Sequence, residues 1–249
     1  MMTHTAVAET CNEWTSACEV QQRFMQHPRP AIESLDFSAH CRQVDALGGD
    51  FYDFVPLSGD RVAIAVGDAS GKGLPAALMI ANVQSSLRTA SWFAGGNGPA
   101  AVEAVNCQVY ESSLADRYAT LFYGVFDRRY RTLRYVNAGH NPPMVIRRDG
   151  TILWLETGGA PVGMFESWRY EEGTVELHPG DILIAYSDGV IEATRAGGEE
   201  WGLDGLQRVV AECRGQSTED LVHAIFTAMD EHTNGRQTDD ATVVALQVH

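Results

Sequence analysis

Four strand-like segments of this chain each end, or turn, on an aspartate that stands beside a small residue. They are residues 47–50 around Asp50, 65–71 around Asp68, 185–189 around Asp188, and 237–241 around Asp239 and Asp240. Neighbouring glycines let the backbone approach closely or adopt positive φ. Short carboxylates on rigid strands can then converge with little conformational freedom left to lose. A fold that unites these strand ends would build an acidic pocket.

Such a pocket favours a hard cation. Three or four carboxylates at one place repel one another strongly unless a divalent ion neutralises them. Oxygen-only ligands favour Mg²⁺, Mn²⁺ or Ca²⁺ over zinc, and the eight histidines show no HxxxH-like pairing. The alternative is that each aspartate is only a turn or cap residue, a role that aspartate favours anyway. That alternative suffices for any one of them, but four repeats of one device favour a metal site.

The rest of the pattern predicts about ten strands and four or five helices. Because the helices cluster in pairs after runs of antiparallel strands, the order indicates an α+β layered sandwich rather than alternating βαβ units. A Gly-rich turn is expected at 158–163. The predicted helices cover residues 13–27, 74–93, 99–114, 203–213 and 217–232.

Composition narrows the function classes. A net charge of -15 opposes binding to phosphate backbones. The five cysteines are scattered without CxxC spacing, which argues against a disulfide framework or a zinc site. The N-terminal segment shows no basic and apolar pattern of a signal peptide, and no apolar run is long enough to span a bilayer. The sequence therefore predicts a cytoplasmic protein.

These segments, in this order, resemble the metal-dependent PPM-type (protein phosphatase 2C-like) phosphatases, specifically their bacterial SpoIIE/RsbU-type branch. The matching stretches are GGDFYDF (48–54), VGDASGKGLPAALMIA (66–81), YATLFYGVFD (118–127), YVNAGHNPP (135–143), GGAPVGM (158–164), YSDGVIEA (186–193) and QTDDATVVAL (237–246). The resemblance implies a four-layer α-β-β-α sandwich of two mainly antiparallel sheets flanked by helices. It places the phosphatase domain at 31–249, after an N-terminal extension at 1–30.

The resemblance also implies a centre of two Mn²⁺ or Mg²⁺ ions. If residues 50–54 form a regular strand, Asp50 and Asp53 point to opposite faces, so Asp53 ranks below Asp50 as a ligand. The implied ligands are Asp68 as the bridge, with the Ala69 carbonyl beside it, Asp50 on one ion, Asp188 and Asp239 on the other, and Asp53 and Asp240 as reserves or water-mediated contacts.

The activity implied by the resemblance is hydrolysis of phosphoserine or phosphothreonine on a regulatory protein, by a water that the two ions hold and acidify. Relatives commonly act on an anti-sigma-factor antagonist. One alternative is a phosphatase-like scaffold that binds a signalling partner and turns over slowly, which the complete set of aspartates opposes. A second alternative, a two-metal nuclease, is opposed by the acidic surface.

Three further segments have two interpretations each. The helix at 13–27 either packs back on the domain or pairs with a partner, and in relatives a similar helix takes part in dimerisation, which allows a homodimer here. Lys72 stands between two glycines, where a structural turn is favoured over a phosphate-binding loop. His140 lies in a Gly-, Asn- and Pro-rich segment typical of a tight turn, with general-acid catalysis as the minor alternative.

Overall fold

Two β-sheets packed face to face form the centre of the molecule. The computed structural model describes residues 4–25, 32–33, 35–114 and 116–249. Within these ranges the strands are β1 (Leu35–Arg42), β2 (Asp50–Leu57), β3 (Arg61–Ala69), β4 (Ala119–Asp127), β5 (Thr132–Ala138), β6 (Met144–Ile146), β7 (Ile152–Trp154), β8 (Gly158–Gly159), β9 (Gly173–Glu176), β10 (Ile182–Tyr186) and β11 (Ala241–Val248).

The first sheet has the order β2-β3-β4-β5-β8, with β9 also paired to β5. The second has the order β1-β11-β10-β6-β7. All pairings are antiparallel except the short one between β5 and β8. This last pairing corrects the expectation of a plain turn at 158–163, because Gly158 and Gly159 pair with Asn137 and Ala138.

Helices cover the outer face of each sheet. The helices are α1 (His4–Met25), α2 (Gly73–Phe93), α3 (Gly98–Ser112), α4 (Asp188–Ile191), α5 (Gly202–Glu212) and α6 (Thr218–Thr233). Helices α2 and α3 pack on β2–β5 through one apolar cluster, and α4, α5 and α6 pack on the second sheet through another. A third cluster lies between the sheets. The predicted α-β-β-α sandwich is therefore confirmed.

Strand alternation decides which side chains enter the layer between the sheets. On β3, Val62, Ile64 and Val66 face this layer, whereas Ala63 and Ala65 face the helices. Burial of an aliphatic or aromatic side chain stabilises the fold by about 1.5–3 kcal/mol, so a shift of register by one residue would be strongly disfavoured. Continuing the alternation places the side chain of Asp68 at the end of the inter-sheet layer.

Helix α1 packs back on the domain. The buried Gln21 side chain makes two hydrogen bonds to Gly48. Its Nε2 donates to the Gly48 carbonyl at 2.7 Å, and its Oε1 accepts from the Gly48 N–H at 3.1 Å. From α2, Gln84 Nε2 donates to the Phe24 carbonyl at 2.7 Å. Of the two interpretations of this helix, packing on the domain is therefore realised within one chain, and the homodimer stays a prediction.

The helix begins nine residues before the predicted start, at His4 rather than residue 13. Its predicted end at residue 27, the helix stop at Pro28 and Pro30, and the domain boundary between residues 30 and 31 lie outside the described residues. None of the helices in the described ranges combines the length and apolar character needed to cross a lipid bilayer.

Candidate metal centre

Asp50 and Asp68 lie directly opposite each other on β2 and β3. Thr120 follows in the same line on β4, opposite Asp68. Directly opposed residues in antiparallel strands project from the same face, and here that face is the inter-sheet side. The hydroxyl of Thr242, on β11 of the other sheet, donates to Asp50 Oδ2 at 2.7 Å. The two sheets therefore meet through this buried carboxylate.

The second sheet brings Asp188 and Asp239 to the same end of the sandwich. Asp188 is the first residue of α4 and is separated from β10 only by Ser187, and Asp239 lies two residues before β11. Ser187 and Thr242 fasten the two chain segments together: the Ser187 N–H donates to the Thr242 carbonyl at 3.0 Å, and the Thr242 N–H donates to Ser187 Oγ at 2.9 Å. The four principal aspartates of the sequence prediction thus collect at one edge.

Burial and mutual repulsion make Asp50, Asp68 and Asp188 hard to ionise. Burial raises the pKa of Asp50 to about 7, with the charges of Asp240 and Asp188 adding to the effect and the hydroxyls of Ser187 and Thr242 opposing it. Burial, followed by the charges of four other aspartates, raises the pKa of Asp68 to about 9. The pKa of Asp188 is also raised, first by burial and then by Asp239.

Lys72 supplies a positive charge at the rim of this cluster. Its Nζ lies 2.7 Å from Asp239 Oδ2 and 3.3 Å from the Thr238 carbonyl. The hydrogen bond to Asp239 raises the pKa of Lys72. In the described part of the chain no other cationic side chain forms an ion pair with the four principal aspartates. Because Lys72 is largely exposed, one such pair offsets little of the buried negative charge.

Asp240 organises the segment that precedes β2. Its Oδ1 accepts from the Val44 N–H at 2.8 Å and its Oδ2 accepts from the Gly49 N–H at 2.7 Å. Gly48 is required beside it, since a Cβ at that position would lie 2.5 Å from Asp240 Oδ2. With one hydrogen bond on each oxygen, Asp240 positions the backbone that carries Asp50.

Asp53 lies on the other face of β2 and does not join the cluster. Its carboxylate is buried against α2, where Arg88 Nη1 donates to both oxygens at 2.6 and 2.8 Å and Gln84 Nε2 donates to Oδ2 at 3.2 Å. The strand alternation that ranked Asp53 below Asp50 explains this placement. The structure therefore gives no support to Asp53 as a reserve ligand, and its visible role is to hold α2 on the sheet.

The Ala69 carbonyl lies close to the carboxylate of Asp68. A Cβ built on Gly49 would stand 3.4 Å from both Ala69 O and Asp68 Oδ1, so the two oxygens border the same small space. The Ala69 N–H donates to the Gly49 carbonyl at 3.0 Å and fixes this corner. The Ala69 carbonyl as a metal ligand stays a prediction.

The oxygen atoms that line this site are chemically suited to a hard divalent cation. They are carboxylate and carbonyl oxygens, the ligands that Mg²⁺ and Mn²⁺ prefer, and they carry more buried negative charge than Lys72 offsets. As placed, the described residues include no group of three His, Cys, Asp or Glu side chains arranged to hold a metal ion. Carboxylate side chains would therefore have to turn towards a shared ion on binding.

Three polar residues of this site were not predicted from the sequence: Thr120, Ser187 and Thr242. Thr242 had a signal, because it precedes alternating apolar residues of β11 and so shares the inter-sheet face with Val244 and Leu246. Thr120 had the same signal, since it stands two residues before Phe122 on β4, whereas Ser187 had none. Their importance depends on pairing between strands that are far apart in the sequence.

Comparison with solved structures identifies the class. The SiaA-PP2C domain of Pseudomonas aeruginosa superimposes with a TM-score of 0.83 at 20% identity, covering 99% of this chain and 100% of that one. The structure of the PP2C phosphatase domain and a regulatory-domain fragment of SpoIIE from Bacillus subtilis gives 0.73 at 19% identity, covering 86% and 63%. The fold is that of PP2C-type phosphatase domains.

Sequence comparison identifies the family. Residues 58–249 match the model for stage II sporulation protein E, so the chain belongs to the SpoIIE family. It is 29% identical to protein IcfG of Synechocystis sp. over 258 residues and 27% identical to phosphoserine phosphatase RsbU of B. subtilis over 240 residues. These matches include 92% and 96% of this chain, which spans 40% of IcfG and 71% of RsbU.

Proposed function

We propose that this chain is a metal-dependent phosphoprotein phosphatase that hydrolyses phosphoserine or phosphothreonine on a regulatory protein. One observation carries the proposal: Asp50 and Asp68 from one sheet lie near Asp188 and Asp239 from the other. Burial and mutual repulsion disfavour the negative charge of this cluster. Such a cluster is costly unless a divalent cation binds it. The membership of the SpoIIE family supports the phosphatase class.

The proposed ligands are the carboxylates of Asp50, Asp68, Asp188 and Asp239, together with the Ala69 carbonyl. When bound there, divalent ions would supply Lewis acidity and lower the pKa of a coordinated water towards neutrality. The chain's own contribution is positional. Thr242 holds the Asp50 carboxylate between the sheets, and the rigid strand ends confine the others, so little side-chain freedom is lost on binding.

The proposed substrate is a phosphorylated protein of a signalling system, and specifically an anti-sigma-factor antagonist. Two relatives support the coarser part of this proposal, since RsbU and RsbP of B. subtilis are named phosphoserine phosphatases and match 96% and 74% of this chain. Phosphorylated antagonist proteins are the direct test. Release of phosphate from such a protein, but not from an unrelated phosphoserine protein, would support the assignment, and equal rates on both would oppose it.

The catalytic proposal is tested with purified protein, a phosphoserine peptide and Mn²⁺ or Mg²⁺. We expect phosphate release that stops with EDTA and falls at least 100-fold in Asp68→Asn and Asp188→Asn, because each substitution removes a charged ligand. Asp149→Asn is the matched control, since Asp149 is an exposed turn residue whose Oδ1 accepts from the Thr151 N–H. Activity that survives both site substitutions would refute the proposal, and an inactive wild-type protein would favour a binding scaffold.

A further inference from the structure

His140 is a buried titratable residue that the proposed chemistry does not use. It follows β5 and is only 5% exposed. The turn that carries it is held firmly: its backbone N–H donates to Asn137 Oδ1 at 2.8 Å, and Asn137 Nδ2 donates to the Leu155 carbonyl at 3.1 Å. These hydrogen bonds fix the turn and therefore the position of the backbone from which the imidazole projects.

The ring lies beside Thr120 of one sheet and Tyr186 of the other, two residues that adjoin members of the acidic cluster. Its Nδ1 is 2.8 Å from Thr120 Oγ1, and Thr120 is the cross-strand neighbour of Asp68. The backbone carbonyl of Tyr186, two residues before Asp188, also lies near the ring, and its effect is to raise the pKa of His140. His140 Nε2 is buried and has no partner in hydrogen-bond geometry among the described residues.

Two threonines at this edge behave differently. Thr242 donates its hydroxyl to Asp50, whereas the Thr120 hydroxyl is engaged with His140 and not with its neighbour Asp68. Within the described residues, the side chain of Asp68 accepts no hydrogen bond from a protein donor. The carboxylate of Asp68 is thus left without a protein donor, although a hydroxyl stands beside it on the next strand.

We propose that His140 is a positioning residue for the metal centre. Its Nδ1 accepts a hydrogen bond from the Thr120 hydroxyl and so keeps that hydroxyl from donating a hydrogen bond to Asp68. This inference rests on the proposed function, because it assumes that a cation needs the Asp68 carboxylate.

The protonation state of the ring agrees with this role. Burial lowers the pKa of His140 to about 4, so at neutral pH the imidazole is neutral and carries a single N–H. With that proton on Nε2, Nδ1 is the nitrogen that accepts a hydrogen bond from the Thr120 hydroxyl 2.8 Å away. At neutral pH a ring with this pKa is imidazole rather than imidazolium, which argues against the general-acid alternative considered from the sequence.

The test is a double-mutant cycle on Mn²⁺ affinity, measured by calorimetry on the full chain without substrate. In His140→Leu the Thr120 hydroxyl is released and can hydrogen-bond to the carboxyl group of Asp68, a bond that Mn²⁺ would have to break. We expect Mn²⁺ binding to weaken about five- to tenfold. Adding Thr120→Val removes the competing donor, and affinity should recover to within about threefold of the wild type. His140→Asn, which keeps a polar atom near the Nδ1 position, should retain most of the affinity.

The rescue separates positioning from simple support of the fold. A structural role predicts that Thr120→Val adds to the damage of His140→Leu, or that His140→Leu lowers thermal stability without changing Mn²⁺ affinity, and either result overturns the inference. Thr233→Val is the matched control, because Thr233 is a buried threonine on α6 whose hydroxyl donates to the Met229 carbonyl, and it should leave Mn²⁺ affinity unchanged. A wild-type protein that binds no Mn²⁺ would instead refute the proposed metal centre itself.

Discussion

Replacing Asp68 by asparagine is expected to stabilise the metal-free protein while it destroys the activity. Asp68 has a pKa of about 9 in the folded protein against an ordinary value of 3.8, chiefly because of burial and then because of the neighbouring aspartates. The folded state therefore holds a proton that the unfolded chain releases. The contribution of Asp68 to the stability of the metal-free wild type therefore falls as the pH rises from about 4 towards 9.

The size of the effect follows from the same values. Between 3.8 and an assay pH of 7 the difference is about 3 pKa units, and each unit corresponds to about 1.4 kcal/mol, which gives roughly 4 kcal/mol as the upper limit. Solvent screening at this incompletely buried position reduces the expected gain to about 2–4 kcal/mol. At pH 5 the same reasoning gives about 1–2 kcal/mol. Asparagine has a similar shape and no charge, so it escapes this penalty.

Urea unfolding in EDTA, followed by tryptophan fluorescence at several pH values, measures the difference directly. The free energy of unfolding of Asp68→Asn should exceed that of the wild type, and the gap should widen from pH 5 to pH 8. Asp149→Asn should show no such gap. A variant that is equally or less stable at every pH, or a gap independent of pH, would refute the electrostatic account of the cluster.

Three further substitutions distinguish the roles of neighbouring charges. Asp53→Asn should lower stability by about 2–4 kcal/mol, since the partly buried Arg88 loses its buried partner. Mn²⁺ affinity measured by calorimetry should stay within about twofold, and a large loss of affinity would return Asp53 to the ligand set. Asp240→Ala removes the acceptor of two backbone N–H groups before β2, so urea unfolding should show a loss of about 2–4 kcal/mol, and an unchanged midpoint would contradict the contacts described. Lys72→Met should tighten Mn²⁺ binding a few-fold by removing a cation that competes for Asp239, and weaker binding would show that Lys72 assists the metal centre.

The layered fold was predictable because the patterns that determine it lie within short, continuous segments of the sequence. Apolar alternation along β2, β3 and β11 and the two pairs of helices were visible in the sequence, and the structure confirms the sandwich that they predict. The same alternation separated Asp50 from Asp53 correctly. The start of α1 was placed too late, because residues 4–12 lack the apolar spacing on which the prediction relied. Gly158 and Gly159 appeared to be a turn, since nothing local in two glycines indicates a parallel pairing with β5.

The supporting residues of the site were less predictable than the aspartates. Asp68 and Asp188 carry their own signal, an acidic residue beside glycine or serine at a strand end. The contacts of His140, by contrast, depend on which strand lies next to β3 and on how the two sheets stack, and those facts are set by the assembled core. Lys72 was interpreted as part of a turn, and its ion pair with Asp239 joins residues 167 positions apart.

The acidic cluster takes its carboxylates from both layers, with Asp50 and Asp68 on one sheet and Asp188 and Asp239 at the strand ends of the other. A cation held among them would link the two sheets at this edge, because the sheets could separate there only if the cation lost its ligands from one of them. Hydrogen exchange should then slow on Mn²⁺ addition at the amides of this edge. At the far edge, where the β2–β3 and β4–β5 turns lie, exchange should change little.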